Sequence, residues 1–320
     1  MLTYFLFVLG FVVLLVGANF LVDGASSIGK KAALSPVVIG FTIVALGTSL
    51  PELFINIFAS LSGNTDLAIS NVLGSNIINT LFITGAAAVI FPITSRKKTT
   101  NSLIPISLAS ALVLGLFANF SIFGFGMENT ITRIEGGVLV LMIIGFLVYS
   151  YHFARSEKEE RTTYRIKELS MFKSVVFVTA GIAGLYFGGN WVVNGATFIA
   201  SEFGISQTLI GITVVAVATS LPELITSVVA AFKKNAGLAL GNALGSNIFN
   251  VFLVLGISAL IEPLPFHDSL NIDLGMVIIS NLILFAAIKT GKGKMVRRGE
   301  GVVFIIIYVG YIIYSILQIR

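Results

Sequence analysis

Two glutamates lie deep inside long apolar stretches of this chain, each at the end of the same motif. Thr-Ser-Leu-Pro-Glu occupies residues 48–52 and again residues 219–223, so the two copies end at Glu52 and Glu223. An ionised carboxylate near the middle of a bilayer costs about 3 kcal/mol even on permissive insertion scales. Because the chain carries this cost twice in matching contexts, we expect both glutamates to bind something positively charged.

Small oxygen-bearing side chains accompany both glutamates. Spacings of three and four residues put Thr48 and Ser49 on roughly the same helix face as Glu52. The second copy repeats this arrangement with Thr219 and Ser220. Carboxylates and hydroxyls grouped in this way predict a site whose ligands are all oxygen atoms.

The motif prolines predict backbone ligands as well. Pro51 and Pro222 have no N–H to donate, and their rings clash with the preceding helical turn. Each proline should therefore free carbonyl groups about one turn earlier, over residues 45–48 and 216–219. Bare carbonyls at these positions would add neutral oxygen ligands to the same site.

A second repeated block supplies more polar side chains. Residues 70–79 (Ser-Asn-Val-Leu-Gly-Ser-Asn-Ile-Ile-Asn) match residues 241–250 (Gly-Asn-Ala-Leu-Gly-Ser-Asn-Ile-Phe-Asn). Gly74 and Gly245 should permit close helix approach, and polar residues in membrane helices often serve packing alone. Proximity to a repeated glutamate favours ion binding instead. The candidate donors of this block are Ser75, Asn79, Ser246 and Asn250.

The donor set narrows the class of cation. No His or Cys lies near either cluster, which argues against zinc, copper and other metals that prefer softer ligands. Ca²⁺ accepts about six to eight oxygen ligands in flexible geometry, whereas Mg²⁺ loses its water reluctantly. Two carboxylates balance one divalent cation, and the same pair could accept two or more Na⁺. The residues alone therefore favour Ca²⁺ in competition with Na⁺.

The composition is that of a membrane protein. Hydrophobic residues make up 56% of the chain and charged residues 11%, and the mean hydropathy is +0.98. Apolar runs of about 18 residues or more can cross a bilayer as helices. The predicted fold class is an all-α polytopic membrane protein with ten transmembrane helices, arranged as two inverted five-helix repeats. The predicted spans are 3–22, 36–60, 67–92, 102–122, 134–153, 172–199, 208–232, 237–261, 271–290 and 300–319.

The basic residues predict the orientation of these spans. Loops after the odd-numbered spans hold nearly all Lys and Arg, in the groups 30–31, 96–98, 155–167, 233–234 and 289–298. Cytoplasmic loops are enriched in Lys and Arg, so both termini should be extracytoplasmic. The net charge of +5 is then a topology signal and does not indicate nucleic-acid binding. We expect a multi-pass protein of the cell (plasma or inner) membrane.

The inversion follows from the repeat itself. A shift of 171 residues superposes both blocks and also places Gly10 on Gly181. Each half has five predicted spans, an odd number, so the second half must cross the membrane in the opposite sense. The predicted organisation is a first repeat over 1–153, a charged cytoplasmic linker over 154–171 and a second repeat over 172–320. Inverted repeats with a midplane site are typical of alternating-access transporters.

At these blocks the chain resembles the sodium/calcium exchanger family of the calcium/cation antiporter superfamily. The resemblance is carried by residues 47–52 and 71–76 in the first half and by residues 218–223 and 241–247 in the second. The length, the number of spans and the short central linker resemble the prokaryotic members. The resemblance implies that spans 1 and 6, as a slanted pair, slide against four ligand-bearing helices to alternate access.

The resemblance also implies roles for individual residues. Glu52 and Glu223 would coordinate Ca²⁺ and share in Na⁺ binding, and carbonyls or hydroxyls of Thr48 and Thr219 would complete the calcium shell. The positions that match the family's sodium-binding or site-lining residues are Ala45, Ser49, Ser75, Asn79, Ala216, Ser220, Ser246 and Asn250.

One departure from some relatives bears on the coupling ions. The potassium-dependent branch carries Asp at the position of Asn250, whereas Asn79 and Asn250 here are both neutral. The site then holds two formal negative charges at most, which predicts a potassium-independent exchanger. A proton-coupled Ca²⁺ antiporter is the alternative, because a glutamate can accept a proton. Such relatives generally carry paired acidic and His residues at the motif.

Two other functional classes fit less well. A cation channel usually rings its pore by oligomeric symmetry, whereas this inverted pair encloses one site within a single chain. An intramembrane hydrolase would need a Ser-His or Asp pair at membrane depth to activate a nucleophile. We therefore expect a transporter and no enzyme, without a cofactor, whose cargo is Ca²⁺ and Na⁺. Its partners would be the lipid bilayer and the cations, with no nucleic acid, and it should function as a monomer.

Overall fold

The chain folds into long apolar helices joined by short loops. The structure, a computed structural model, describes residues 2–94, 97–120, 122, 129–156, 167–202, 219–290 and 295–318. Helices account for most of these residues, in agreement with the predicted class.

The first half contains three long helices and two helices that change their geometry along their length. Segments named π have the wider π-helical turn. In chain order the elements are α1 (Leu2–Lys31), α2 (Pro36–Ile39), π1 (Gly40–Val44), α3 (Ala45–Thr48), α4 (Leu50–Leu61), α5 (Thr65–Ile77), π2 (Ile78–Ile83), α6 (Thr84–Ile90), α7 (Lys97–Phe120) and α8 (Arg133–Ser156).

The described part of the second half repeats much of this order. A long first helix is followed, after residues outside the described ranges, by a short helix, an interrupted helix and two long ones. The elements are α9 (Met171–Glu202), α10 (Leu221–Phe232), α11 (Ala236–Phe249), π3 (Asn250–Leu255), α12 (Gly256–Ile261), α13 (Leu270–Thr290) and α14 (Arg298–Gln318).

The number of membrane-spanning helices can be compared with the prediction within the described ranges. Eight helices there are long and apolar enough to cross a membrane, and the bent pair Pro36–Thr48 and Leu50–Leu61 makes a ninth if it is one span. The predicted span 208–232 is described only from residue 219, where α10 is a shorter apolar helix.

Two details differ from the prediction. α1 continues past residue 22 to Lys31, so Lys30 and Lys31 form its last turn and not a loop. Basic residues are favourable there because they face the negative end of the helix dipole. The described fold is also not purely helical. Two-residue strands form two antiparallel ladders, β1 (Ile93–Thr94) with β4 (Met295–Val296) and β2 (Thr130–Ile131) with β3 (Leu264–Pro265).

α1 and α9 pack against each other along most of their lengths. Glycines at seven-residue intervals let the two backbones meet, since small residues permit close approach in membranes. The interface glycines are Gly10, Gly17, Gly24, Gly181, Gly188 and Gly195. The helices have 30 and 32 residues, more than the roughly 20 that cross a bilayer upright, so the pair is long enough to cross at a slant.

Polar contacts join the same two helices at one end. The Ser174 hydroxyl donates to Ser27 Oγ at 2.9 Å, and the Leu169 N–H donates to the same oxygen at 3.1 Å. Lys30 pairs with Glu168 and lowers the pKa of that carboxyl. The glycine contacts and these bonds together make α1 and α9 one packed unit.

Two interrupted helices form the centre of the molecule. In the spans that begin at Thr65 and Ala236, 72% and 78% of the most apolar window is buried, against at most 44% in the other candidate spans. A methyl group on Gly245 would lie 2.6 Å from the Phe41 Cα, which confirms the predicted close approach there. The equivalent neighbours of Gly74 fall within residues 203–218, outside the described part of the chain.

Gly181→Ala should destabilise the protein. The added methyl group would lie 2.6 Å from the Leu21 amide nitrogen, so α1 and α9 would have to separate. Overpacking of this kind costs about 1–3 kcal/mol. That exceeds the gain of up to about 1 kcal/mol when Ala replaces Gly inside a helix. The midpoint of thermal unfolding in detergent should therefore fall.

Gly145→Ala provides the matched control. Gly145 lies on the exposed side of α8, where no described atom comes within 4 Å of the added methyl group. Its unfolding midpoint should stay the same or rise, because only the helix-propensity gain applies. Equal midpoints for Gly181→Ala and the unchanged protein would contradict the close approach of α1 and α9.

Candidate cation site

Helix irregularities occur where the candidate site residues lie. The first motif is interrupted at Ser49, between α3 and α4, and the two parts are bent by 42°. π2 and π3 begin at Ile78 and Asn250, and π-helical turns are frequent at functional sites. Pro51 and Pro222 lie in the first turns of α4 and α10, where a missing N–H is tolerated. The motifs therefore start new helices at the site.

Glu52 and Glu223 both lie in the interior. Each is in the first turn of its helix and 0% exposed. A carboxylate at that position faces the positive end of the helix dipole, which partly offsets its charge. Ser49, three residues before Glu52, contacts the Glu223 carboxyl group, so the two motifs meet in the folded chain. The fold thus brings together two residues that are 171 positions apart.

Ser49 contacts the glutamate of the other half. Its hydroxyl donates to Glu223 Oε1 at 3.1 Å, and the Ser246 hydroxyl donates to the same oxygen at 3.4 Å. This contact joins the first motif to the second. The shared helix face of Ser49 and Glu52 stays a prediction.

The corresponding groups around Glu52 have no partners. Ser220 and Ser75 are the equivalents of Ser49 and Ser246 under the 171-residue shift. Within the described residues, neither these two hydroxyls nor either carboxylate oxygen of Glu52 makes a hydrogen bond, although all are buried. A buried polar group without a partner costs about 1–3 kcal/mol and is rare in folded proteins. These oxygens are available to a ligand.

Asn79 and Asn250 continue this pattern and are both 0% exposed. Among described residues, neither amide atom of Asn79 has a partner, nor does Oδ1 of Asn250. The Asn250 amide nitrogen donates to Asn76 Oδ1 at 3.1 Å. Amide oxygens are neutral ligands that suit Ca²⁺, so this pair can contribute to a cation site without adding charge.

Thr48 and Thr219 are buried and bond through their hydroxyls. Thr48 Oγ1 donates to Asn242 Oδ1 at 3.1 Å, and Thr219 Oγ1 donates to Asn71 Oδ1 at 3.3 Å. Each threonine hydroxyl therefore has an amide oxygen of the opposite half as a hydrogen-bond partner.

The carbonyl of Ala45 is less free than the motif prolines predicted. It accepts the N–H of Ser49 at 3.0 Å, an ordinary helical bond. The carbonyl that loses its helical donor is that of Gly47, four residues before Pro51. Ala45 can still offer its second lone pair. Ala216 lies outside the described residues, and its role stays a prediction.

Sequence reasoning assigned no individual role to several buried polar residues in or beside this cluster. They are Asn56, Asn71, Asn76, Thr226, Ser227, Asn242 and Asn247. Thr226, one turn after Glu223, carries a buried hydroxyl without a partner among described residues. The repetition of Asn71 as Asn242 was a signal available in the sequence. Thr226 had no such signal, because Ile55 is its equivalent.

The cluster offers carboxylate, hydroxyl, amide and carbonyl oxygens in a space that excludes water. Such a set can bind a hard cation whose water shell it replaces. The chain contains no cysteine, and its two histidines, His152 and His267, lie in exposed positions away from the glutamates. The chemistry available here is therefore cation binding and release.

Comparison with known proteins places this chain in a family. The sequence pattern of the family described as sodium/calcium exchanger protein matches residues 2–152 and 173–317. The chain is 33% identical to sodium/calcium exchanger MaX1 of Methanosarcina acetivorans, with 97% of each covered. It is 32% identical to inner membrane protein YrbG of Escherichia coli (strain K12), covering 93% of this chain and 91% of that protein.

A solved structure agrees with these sequence relatives. The sodium-calcium exchanger NCX_Mj, soaked with Na⁺ and Ca²⁺, matches with a TM-score of 0.82 and 30% sequence identity. The match covers 100% of this chain and 99% of that one. The resemblance drawn from the repeated blocks is confirmed: this integral membrane protein belongs to the sodium/calcium exchanger family of antiporters.

Proposed function

We propose that this chain exchanges Na⁺ for Ca²⁺ across the cell membrane at a midplane site built on Glu52 and Glu223. The observation that carries the proposal is the cluster of buried oxygens without partners among the described residues, including both carboxylate oxygens of Glu52 and one of Glu223. Burying a carboxylate without compensation is costly, and a bound cation would compensate it. The relatives MaX1 and NCX_Mj, both described as sodium/calcium exchangers, support this choice of ions.

Charge balance supports competition between the two ions. Glu52 and Glu223 together neutralise one Ca²⁺, with oxygens of Thr48 and Thr219 as neutral ligands. Na⁺ ions that occupy the same carboxylates and the serine oxygens exclude Ca²⁺, so one ion leaves when the other binds. Exchange of more than two Na⁺ for one Ca²⁺ would move net charge across the membrane.

The neutral asparagines support independence from K⁺. Asn79 and Asn250 are buried in the cluster and contribute amide oxygens without charge. Two carboxylates then remain as the only formal charges among the described site residues. A second cation bound beside Ca²⁺ would have no negative charge to balance it, so we expect transport without a K⁺ requirement.

We propose the ten-helix, inverted-repeat architecture with both termini outside the cytoplasm. The order α5, π2, α6 in the first half recurs as α11, π3, α12 in the second, which supports the repeat. α10 would be the second part of a span that begins outside the described residues. The proposed organisation has repeats over 1–153 and 172–320 joined by the linker 154–171. A site enclosed by one chain supports function as a monomer.

The packing of the α1–α9 unit supports alternating access. α1 packs along α10, whereas the equivalent pair, α9 and α4, makes only sparse contact among the described residues. Phe58 on α4 is 67% exposed, and its equivalent Val229 on α10 is 7% exposed. In the proposed topology, the cytoplasmic side is closed in this conformation and the outer side is open.

An ion pair reinforces the closed side. Lys233, which follows α10, contacts Asp23 on α1 at 2.6 Å, and the two side chains are 20% and 17% exposed. The equivalent residues on the outer side are Ser62 and Asn194, which are neutral. The Ser62 hydroxyl donates to carbonyls of its own helix. Sliding of α1 and α9 toward the opposite state must therefore break the Asp23–Lys233 pair.

Proteoliposomes loaded with Na⁺ should accumulate radioactive Ca²⁺ from a Na⁺-free medium. The outward Na⁺ gradient drives the exchange because both ions use the same carboxylates. Ca²⁺ uptake should stay unchanged when K⁺ is removed from both sides. A pH gradient alone should drive little Ca²⁺ uptake. The measurement is initial uptake rate, with protein-free liposomes as the control for leak.

The outcome separates the competing coupling ions. Uptake that follows the pH gradient and ignores the Na⁺ gradient would support the proton-coupled Ca²⁺ antiporter. Uptake that stops without K⁺ would contradict the argument from Asn79 and Asn250.

Glu52→Gln and Glu223→Gln should each abolish Ca²⁺ uptake while the protein still inserts and folds. Each change removes one of the two charges that balance Ca²⁺ and keeps the size of the side chain. Glu135→Gln is the matched control, because Glu135 is also 0% exposed but bonds to Thr132 at the start of α8. Wild-type uptake by both site variants would show that the glutamates do not carry the ion.

Asp23→Asn should increase the population with the outer side closed. A loss of about 1 kcal/mol from the ion pair changes a two-state ratio about fivefold. The chain has no cysteine, so Ser62→Cys and Asn194→Cys can carry spin labels without background. Pulsed electron–electron double resonance measures the distance between the two labels. In Asp23→Asn a larger fraction of the molecules should show the shorter distance, in which α4 and α9 are close together.

Lys30→Gln is the control for this measurement. It breaks the Lys30–Glu168 pair, which lies within the α1–α9 unit and should not bias one state over the other. An unchanged distance distribution in Asp23→Asn would mean that the pair does not set the conformational balance.

A further inference from the structure

Two buried asparagines connect the halves of the site. Asn242 on α11 accepts the Thr48 hydroxyl at 3.1 Å, and Asn71 on α5 accepts the Thr219 hydroxyl at 3.3 Å. All four residues are at most 7% exposed. The 171-residue shift relates one contact to the other. Each threonine of the site therefore bonds to an amide that the opposite half supplies.

The orientation of the Asn242 amide is fixed by its other partners. Its nitrogen donates to the backbone carbonyl of Glu223 at 3.3 Å and to Ser227 Oγ at 3.0 Å. A carbonyl can only accept, so the nitrogen must face Glu223. The amide oxygen must then face Thr48.

The orientation of the Asn71 amide is fixed by Asn56, which bonds to it. The Asn56 nitrogen donates to the Ala68 carbonyl at 2.8 Å, which leaves the Asn56 oxygen facing Asn71. The Asn71 nitrogen donates to that oxygen at 2.7 Å. The Asn71 oxygen is therefore the atom that faces Thr219.

We infer that Asn71 and Asn242 are positioning residues for cation binding. Each holds the threonine of the opposite half so that the threonine oxygens face the cation. This inference rests on the proposed exchange at Glu52 and Glu223. Residues that orient the ligands of a metal typically change its affinity 10–100-fold when they are replaced.

Thr48 has an alternative hydrogen bond, which explains why it needs an anchor, meaning here the asparagine of the opposite half that accepts its hydroxyl. Threonine hydroxyls in helices can bond to a carbonyl in the preceding turn. Thr48 already lies 3.3 Å from the Ala45 carbonyl, slightly farther than from Asn242. Without the amide, the hydroxyl proton would go to the Ala45 carbonyl or to the Glu223 carboxylate, which are both candidate cation ligands. Loss of the anchor would therefore change two candidate ligands together.

The two anchors, Asn242 and Asn71, differ in the number of candidate ligand residues to which their hydrogen bonds lead. Asn242 bonds to Thr48 and to the Glu223 backbone, so it touches a candidate ligand residue from each half. The Asn71 network ends at Ala68, which lies outside the site. Asn242→Ala should therefore weaken Ca²⁺ binding more than Asn71→Ala does.

The test uses Ca²⁺ titration of the purified full-length protein by calorimetry in detergent. Asn242→Ala should weaken Ca²⁺ binding about 10–100-fold. Thr48→Val keeps the shape of the side chain but removes both the donor and the candidate ligand oxygen, so it should weaken binding at least as much. The double variant should bind no more weakly than Thr48→Val alone, because Asn242 then has no Thr48 hydroxyl to position. Thr48→Ser keeps the hydroxyl and should retain most of the affinity.

Asn281→Ala controls for loss of a buried amide elsewhere. Asn281 on α13 accepts the Ser107 hydroxyl at 2.8 Å and donates to the Val277 carbonyl at 2.9 Å. Its replacement should lower the unfolding midpoint and leave Ca²⁺ affinity unchanged. A purely structural role for Asn242 would give the same pattern.

The outcomes separate this inference from the function on which it rests. Unchanged Ca²⁺ affinity in Asn242→Ala and Thr48→Val, or effects that add in the double variant, would overturn the inference. If Asn242→Ala does not fold, Asn71→Ala, combined with Thr219→Val in the same way, decides in its place. If the unchanged protein binds no Ca²⁺, or Glu52→Gln binds it normally, the proposed function fails instead.

Discussion

Two fully buried carboxyl groups are the constraint on which this structure depends. Glu52 and Glu223 are fully buried, and no Lys or Arg among the described residues forms an ion pair with either. A buried charge without a partner is among the most costly features a protein can carry. The side chains around them supply oxygen atoms and no positive charge. In the proposed exchange, the transported cation is the missing partner.

Such a site requires helices that are irregular at their centre. A regular α-helix engages its own N–H and carbonyl groups and offers none to a ligand. The break at Ser49 and the wide turns that begin at Ile78 and Asn250 interrupt this regularity beside the candidate ligands. Close packing keeps water out, as at Gly245, where even a methyl group would clash with Phe41. Helix breaks thus free oxygen atoms for a ligand, and small residues allow the packing that keeps water away from those atoms.

The sequence predicted which residues form the cluster better than it predicted how they are paired. Repeated carboxylates inside apolar stretches have few explanations, so Glu52 and Glu223 could be found without a structure. The pairing of Ser49 with Glu223 depends on the bend at the helix break, which no spacing rule describes. The Ala45 carbonyl stays bonded because the helical hydrogen bonds continue to Ser49, so Pro51 removes the donor of the Gly47 carbonyl only. Asn242 was visible as a repeated residue, but its bond to Thr48 arises only when the two halves pack together.

In the proposed inverted repeat, the two halves of the site carry nearly the same candidate ligands, so the ligands alone would favour neither access state strongly. The preference for one state must then come from contacts in which the halves differ. The Asp23–Lys233 pair is such a contact, because Asn194 and Ser62 occupy the equivalent positions. It lies away from the glutamates, so evolution could change the resting state without altering the ions that bind. In the proposed exchanger, ion selectivity and conformational preference would thus depend on different residues, because a contact shifts a two-state equilibrium only as far as it differs between the states.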